Sequence, residues 1–313
     1  MQVPAQVEYE KASSISHALS LLARYGPEAR ILAGGHSLIP MMKLRLAQPG
    51  VLIDVNGLAN LRYIRVDRGQ LRIGALTTHA QLLDSALAAE HFAILRDAEV
   101  VIADPIVRQW GTVGGSLCQA DPSEDLSAAF AALKGIMVIA GPDGTREVSA
   151  REFHTGPYET VVGPGEMLTE VRLPISAGAG TAYVKVSRRA GDWPVGAVGA
   201  ALWLDPSGVI TDAGIGLTAL GARHFVAAEA EEHLHGQRAT QEAFARAGAI
   251  AAANCRPGAD QRGPEDYKRH LAGELTRRAL ATAARRAGLL SPGGTNGVTP
   301  RSVTRTPRSE GAA

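Results

Sequence analysis

Cysteine is nearly missing from this 313-residue chain. Its two cysteines, Cys118 and Cys255, cannot build a disulfide framework. They also cannot hold an iron–sulfur cluster alone, which normally takes about four thiolates. Any metal chemistry therefore has to come from another chain. Aromatic residues are scarce too: five Phe, three Trp and six Tyr. No run reaches the roughly 18 uninterrupted apolar residues of a membrane span. Met1 to Ser13 has no basic stretch followed by an apolar one, so no signal peptide and a cytoplasmic location are expected. Neither sign of charge dominates: 32 basic residues stand against 31 acidic ones, giving +1. Bulk charge thus gives no reason to expect nucleic-acid binding.

What is present is ordinary in proportion, with 45% hydrophobic and 20% charged residues. That composition excludes a disordered, coiled-coil or collagen-like chain. The length fits two or three domains. Glycine stands out at 35 residues. Turns alone do not use so much, and some of it is expected to let a ligand approach the backbone.

Ser13-Ser14 caps a predicted amphipathic helix with Ile15, Leu19 and Leu22 on one face, ended by Gly26. Short strands follow at Arg30 to Ala33 and Val51 to Val55, making a β-α-β start. Ile64 and Val66 alternate with polar residues, as do Leu71 and Ile73, across the turn Asp67-Arg68-Gly69. Thr78 caps a helix containing Leu82, Leu83 and Leu87, and Phe92 to Ile102 reads as another helix, stopped by Asp104-Pro105. Leu126 to Leu133 is a further helix, and Ile136–Ala140 and Arg146–Val148 flank a turn. A shift to Ser, Ala and Gly at Pro174 to Gly180 marks a boundary. Beyond it, strands are predicted at Thr181–Ser187, Val195–Leu204 and Val209–Leu217, then helices at Val226–His235, Gln241–Ala253 and Glu265–Ala287. From Ser291 the chain is nearly without apolar residues, which predicts a disordered tail; its arginines are read as solvated, or else as touching a partner.

Two glycine segments carry the chemistry. In Ile31-Leu32-Ala33-Gly34-Gly35-His36-Ser37-Leu38 a strand runs into two glycines and a hydroxyl. Successive N–H groups in such a turn suit a diphosphate. The segment is neither G-x-G-x-x-G nor a P-loop, and alone it also fits a plain tight turn. The second segment is Gly111-Thr112-Val113-Gly114-Gly115-Ser116, leading to Asp121-Pro122-Ser123-Glu124-Asp125. Asp125 reads either as an acceptor for a ligand hydroxyl or as the N-cap of the following helix. His36 reads as a packing or hydrogen-bonding group, and Cys118 as a small buried residue. The other histidines show no metal-ligand spacing, and no serine has a G-x-S-x-G context.

Together and in this order the two segments resemble the FAD-binding medium subunit of molybdenum hydroxylases, as in aerobic carbon monoxide dehydrogenase and the xanthine dehydrogenase flavin domain. Ala33-Gly34-Gly35-His36-Ser37-Leu38 is similar to the family's first flavin motif, and Gly111-Thr112-Val113-Gly114-Gly115-Ser116-Leu117 to its second. Glu166-Met167-Leu168-Thr169-Glu170-Val171, Lys185 with Arg188, and Asp266-Tyr267-Lys268-Arg269-His270-Leu271 resemble later signatures. The resemblance covers about residues 3–287.

The resemblance implies an α+β fold of the vanillyl-alcohol-oxidase type. Two FAD-binding subdomains, residues 1–57 and 58–177, would precede a C-terminal domain at 178–288 of a three-stranded antiparallel sheet and helices, with the tail at 289–313. Ile31, Leu32, Ala33, Gly34, Gly35, His36, Ser37 and Leu38 would wrap the FAD diphosphate through backbone donors. Thr112, Val113, Gly114, Gly115 and Ser116 would do so from the other subdomain. Asp125 would accept from the cofactor, Leu168 would pack on the adenine side, and Lys185 would sit near the flavin ring. Trp193 stands where relatives usually carry tyrosine, and Gln109-Trp110 replaces an Arg-Asn ending. No side chain is expected to be catalytic and no metal is expected. The implied function is electron transfer from iron–sulfur clusters to FAD and on to NAD+, a quinone or dioxygen. Partners would be a large molybdopterin chain and a small [2Fe-2S] chain in a heterotrimer that dimerises. The alternative is a stand-alone FAD-dependent oxidase or monooxygenase; further readings are an assembly protein without FAD and a peptidoglycan-precursor reductase.

Overall fold

The computed structural model describes residues 3–288, so the tail expected at 289–313 lies outside the described residues. The chain opens with β1 (Glu8–Lys11), α1 (Ile15–Tyr25), β2 (Ala29–Leu32), α2 (Leu38–Lys43) and β3 (Val51–Asp54). The Ser14 hydroxyl caps α1 by accepting from His17 N–H at 3.0 Å, and Gly26 ends it at a φ of +57°. Ala18, Leu21 and Leu22 are buried against the strands, with Ile15 and Leu19 packed beside them. The three strands form a parallel sheet in the order β1-β3-β2. Sequence periodicity does not reveal β1, because Glu-Tyr-Glu-Lys on a sheet edge buries almost nothing.

A second sheet uses β4 (Ile64–Asp67) and β5 (Gln70–Gly74). Six helices follow: α3 (His79–Leu83), α4 (Ala86–His91), α5 (Ala93–Glu99), α6 (Pro105–Trp110), α7 (Val113–Gln119) and α8 (Asp125–Ala132). Then come β6 (Ile136–Gly141), β7 (Gly144–Ser149), α9 (Ala150–Phe153), the short pair β8 (His154–Gly156) and β9 (Glu159–Thr160), and β10 (Met167–Pro174). The antiparallel sheet runs β4-β5-β10-β6-β7. Here the expected helices are corrected. Leu87 lies in α4, not α3, because Ser85 caps a new helix by accepting from Ala88 N–H at 3.1 Å. Asp104-Pro105 starts α6, with the Asp104 carboxylate accepting from Val107 N–H at 2.9 Å. The cap of α8 is Glu124, not Asp125.

The last sheet is antiparallel, β11 (Ala179–Ser187), β12 (Pro194–Leu204) and β13 (Ile210–Thr218), followed by α10 (Ala228–Leu234), α11 (Gln241–Asn254) and α12 (Glu265–Arg286). Every residue of α8 is buried, because it packs on β12 and β13 and against α5, α7 and α9, inside the core that also holds the second sheet's apolar face. Its backbone sits directly on β13: a Cβ at Gly214 or Gly216 would come within 1.9 or 2.0 Å of the Ala132 or Ala128 carbonyl oxygen. Some of the glycine surplus therefore serves helix-on-sheet contact rather than a ligand.

Candidate functional site

A cleft of about 620 Å³ runs between these units. Its walls include the segment after β2, the α6–α7 junction, the start of β10, Lys185 of β11 and the loop Gly191–Trp193. The structure brings Ile31, Leu32, Ala33, Gly34, Gly35, His36, Ser37, Leu38, Thr112, Gly114, Gly115, Ser116, Asp125, Leu168, Lys185 and Trp193 to this one cleft. Val113 is the exception and a correction. It is fully buried in the hydrophobic core, because the first turn of α7 aims it inward.

The two glycine segments differ in their free donors. Among the described residues, the N–H groups of Gly34, Gly35, His36, Ser37 and Leu38 donate to nothing in the chain. Five consecutive unspent donors line one side of the cleft. Asn56 fixes this turn by donating from Nδ2 to the Ala33 carbonyl at 2.7 Å and to Asp54 Oδ1 at 2.8 Å. His36 Nδ1 lies 2.9 Å from the Gly34 carbonyl. In the second segment the donors from Val113 to Ser116 are spent. Val113 donates to Thr77 O, Gly114 to Ala75 O, Gly115 to Thr112 Oγ1 and Ser116 to Thr112 O, all at 2.8–3.1 Å. From Val113 on, that segment offers the cleft side chains and bare glycine surface rather than N–H groups. The two segments touch at Gly34, where a Cβ would lie 2.2 Å from the Trp110 carbonyl oxygen.

The floor holds charge. Asp125 Oδ2 accepts from Lys185 Nζ at 2.8 Å and Oδ1 from Tyr183 Oη at 2.7 Å; Lys185 also donates to Val101 O at 3.0 Å. Asp125 thus spends its oxygens on β11, and Lys185 brings an ion pair rather than a bare cation. Burial pushes the Asp125 carboxyl up, against the pull of Lys185. Glu124 caps α8, accepting from Leu126 N–H at 2.9 Å and from Ser127 N–H at 2.6 Å, and also from the Ser127 hydroxyl. Burial nevertheless pushes its carboxyl up to about 7.

Glu124 gives a pH prediction. The folded chain holds this proton to about pH 7, whereas an unfolded glutamate releases it near its ordinary 4.5. The stability it contributes is complete below about pH 4.5 and is lost as pH rises through about 7. Relative to Glu124→Gln, the wild type should lose about 3 kcal/mol between these limits. Urea unfolding of both proteins across pH 4.5–8 measures this, and parallel curves would refute it.

His79 and Tyr158 line the cleft without having been singled out as site residues, and Glu99 lies buried behind His79. His79 and Glu99 form a buried pair whose only sequence trace is the cap Thr78 before His79. Tyr158 stands in the left-handed region at a φ of +61° and donates to Asp121 Oδ2 at 3.2 Å. Cys118 faces the cleft and is exposed there, a correction to its expected burial in the core. Ile106, Trp110 and Trp193 are large apolar residues exposed near the mouth. Gly191 holds the Trp193 loop against the turn Ala103-Asp104 that leads into α6, a Cβ there lying 2.8 Å from Ala103 O.

Comparison with known proteins gives a consistent picture. Residues 5–176 match the family described as FAD binding domain in molybdopterin dehydrogenase, and residues 181–283 match the CO dehydrogenase flavoprotein C-terminal domain. The chain is 39% identical to the carbon monoxide dehydrogenase medium chain of Afipia carboxidovorans, covering 91% of this chain and 99% of that one. It is 32% identical to the glyceraldehyde dehydrogenase medium chain of Sulfolobus acidocaldarius, covering 90% and 99%. Among solved structures, carbon monoxide dehydrogenase from Hydrogenophaga pseudoflava superposes with a TM-score of 0.88 at 39% identity, covering 91% and 99%.

Proposed function

As the chain belongs to the family of FAD-binding chains of molybdopterin dehydrogenases, we propose that it takes electrons from iron–sulfur clusters on a partner chain and passes them to NAD+, a quinone or dioxygen. It is an oxidoreductase subunit, and FAD is its cofactor. The partners would be a large molybdopterin chain and a small [2Fe-2S] chain, in a cytoplasmic heterotrimer that dimerises. No helix among the described residues is long and apolar enough to cross a membrane. The stand-alone oxidase or monooxygenase is not favoured, because the similar proteins are medium chains.

The observation that carries this reading is the row of five unspent N–H groups from Gly34 to Leu38. Such a row suits an anionic partner, and a dinucleotide's diphosphate supplies one. The cleft fits the rest: Leu61, Leu76 and Leu168 offer apolar walls, and Lys185 and Asp125 a polar end. Bound there, FAD supplies one- and two-electron redox chemistry that no side chain of this chain has. The protein's part is to hold and tune. The 34–38 segment binds the diphosphate, and the Gly34 contact locks it to the second segment. The Lys185–Asp125 pair sets the field at the floor. Trp193, 44% exposed, covers the mouth.

Purification of the chain and its visible spectrum test the reading. Flavin bands with little turnover of organic substrates are expected. A colourless protein that stays colourless with added FAD would overturn it. For the partners, Ile106→Asp and Trp110→Ala should leave FAD content unchanged. Both should weaken co-purification with the molybdopterin and [2Fe-2S] chains about tenfold or more, as loss of exposed apolar anchors does. Unchanged co-purification would place the interface elsewhere.

A further inference from the structure

A chain of three side chains runs from the core to the cleft. Glu99, at the end of α5, is fully buried, and its carboxylate oxygens lie 3.0 and 3.1 Å from His79 Nδ1. The other ring nitrogen, Nε2, lies 3.0 Å from Ser116 Oγ, and Ser116 lines the cleft. The His79 ring packs under Gly111, where a Cβ would come within 2.9 Å of Cδ2. Gly34 rests on the same Gly111. The relay therefore ends where the two glycine segments meet.

Counting hydrogens gives the relay two states. When Glu99 and His79 share two protons, Nε2 carries one of them, whichever group holds the other. Nε2–H then donates to Ser116 Oγ, and the serine's own proton is free to point into the cleft. When they share one proton, it sits on Nδ1, facing a carboxylate that can only accept. Nε2 is then bare, Ser116 donates inward, and the cleft meets only oxygen lone pairs. A phosphate oxygen, itself an acceptor, is bound in the first state and repelled in the second.

We propose that His79 and Glu99 are positioning residues that store a proton and so hold the Ser116 hydroxyl as a donor to the FAD diphosphate. This rests on the FAD reading above. The surrounding charges act both ways. Asp125 at the start of α8, and Glu124 beside it once ionised above about pH 7, raise the His79 imidazole, whereas Arg108 of α6 lowers the Glu99 carboxyl and Lys185 of β11 pairs with Asp125. Burial alone would push the His79 imidazole down, but the charge and hydrogen bond of Glu99 outweigh it and the net direction is up. Burial also pushes the Glu99 carboxyl up. The loaded state thus extends above the usual imidazole range. Acyl transfer is not the role of this Glu–His–Ser order. The N–H groups of Gly115 and Ser116 already donate to Thr112, which leaves no donor pair there for an oxyanion.

The test is FAD binding to the full chain, stripped of flavin, followed by fluorescence quenching between about pH 6 and 9.5. Wild-type affinity should fall about tenfold as the pair discharges. Ser116→Ala should bind about tenfold more weakly at the acid end and show no such fall. Glu99→Gln should move the fall to lower pH, since the imidazole loses its carboxylate. Nitrogen-15 NMR of the wild-type ring, which needs no variant to fold, should show His79 Nε2 protonated below the fall and bare above it. A flat wild-type profile, a Ser116→Ala profile that keeps the fall, or a bare Nε2 at about pH 6.5 would overturn the proposal and leave FAD binding intact. Failure of the wild type to bind FAD at any pH would overturn the FAD reading itself.

Discussion

Gly34→Ala is expected to yield a protein that retains less than about a tenth of the wild-type FAD and unfolds about 2–3 kcal/mol more easily. The reason is contact on both sides of one Cα. On one side, residues 34–38 line the cleft and their N–H groups have no partner in the chain. On the other, a Cβ would lie 2.2 Å from Trp110 O and 2.8 Å from Gly111 Cα. Both obstacles are backbone, so no side-chain rotation relieves them. The segment must move, and the five donors lose their common aim at the diphosphate. Gly258→Ala is the control, because nothing lies within 4 Å of its Cβ position. Flavin content by absorbance and urea unfolding of both variants measure the effect. Equal flavin content in the two would refute the Gly34 contact as the element that sets the cradle.

Lys185→Met should be the more destabilising change, by about 3–5 kcal/mol, since it strands a buried carboxylate. Lys185 and Asp125 have side-chain exposures of only 3% and 6%. Tyr183 would remain as a donor to Asp125, which keeps the loss from being complete. The FAD midpoint potential should move in opposite directions in two variants. Lys185→Met leaves negative charge at the floor and should make FAD harder to reduce. Asp125→Asn frees the ammonium and should make it easier. Dye-coupled reductive titration of each variant separates this from a purely structural role, which would not give shifts of opposite sign. Shifts of the same sign would remove the ion pair from the tuning of the cofactor.

Much of the site was legible because its chemistry is local. Gly34-Gly35 followed by Ser37 is a property of consecutive residues, and consecutive N–H groups are what a diphosphate needs. The second segment was legible as a place and misread as a mechanism. Thr112 looks like a loop hydroxyl in sequence, but it caps α7 and draws in the Gly115 and Ser116 N–H groups. Val113 was misplaced for the same reason, since helical geometry turns it, with Leu117 four residues on, into the core and away from the cleft. The His79–Glu99 pair left no sequence signal beyond the Thr78 cap, because its members stand 20 positions apart with two helix caps between them.

The sequence by itself determined the element types wherever periodicity was strong: the capped helix at Ser14, the hairpin at Asp67-Arg68-Gly69 and the three strands after Pro174. Through its two glycine motifs it also determined the family and the cofactor. Only the tertiary structure decided which donors are free. A backbone N–H is a donor in every residue, and whether it remains one depends on what packs above it. Only the tertiary structure, likewise, buried Glu99, Glu124 and Asp125 together under the cleft. Charge on a carboxylate is legible in sequence, but the cost of that charge is set by the loss of water around it.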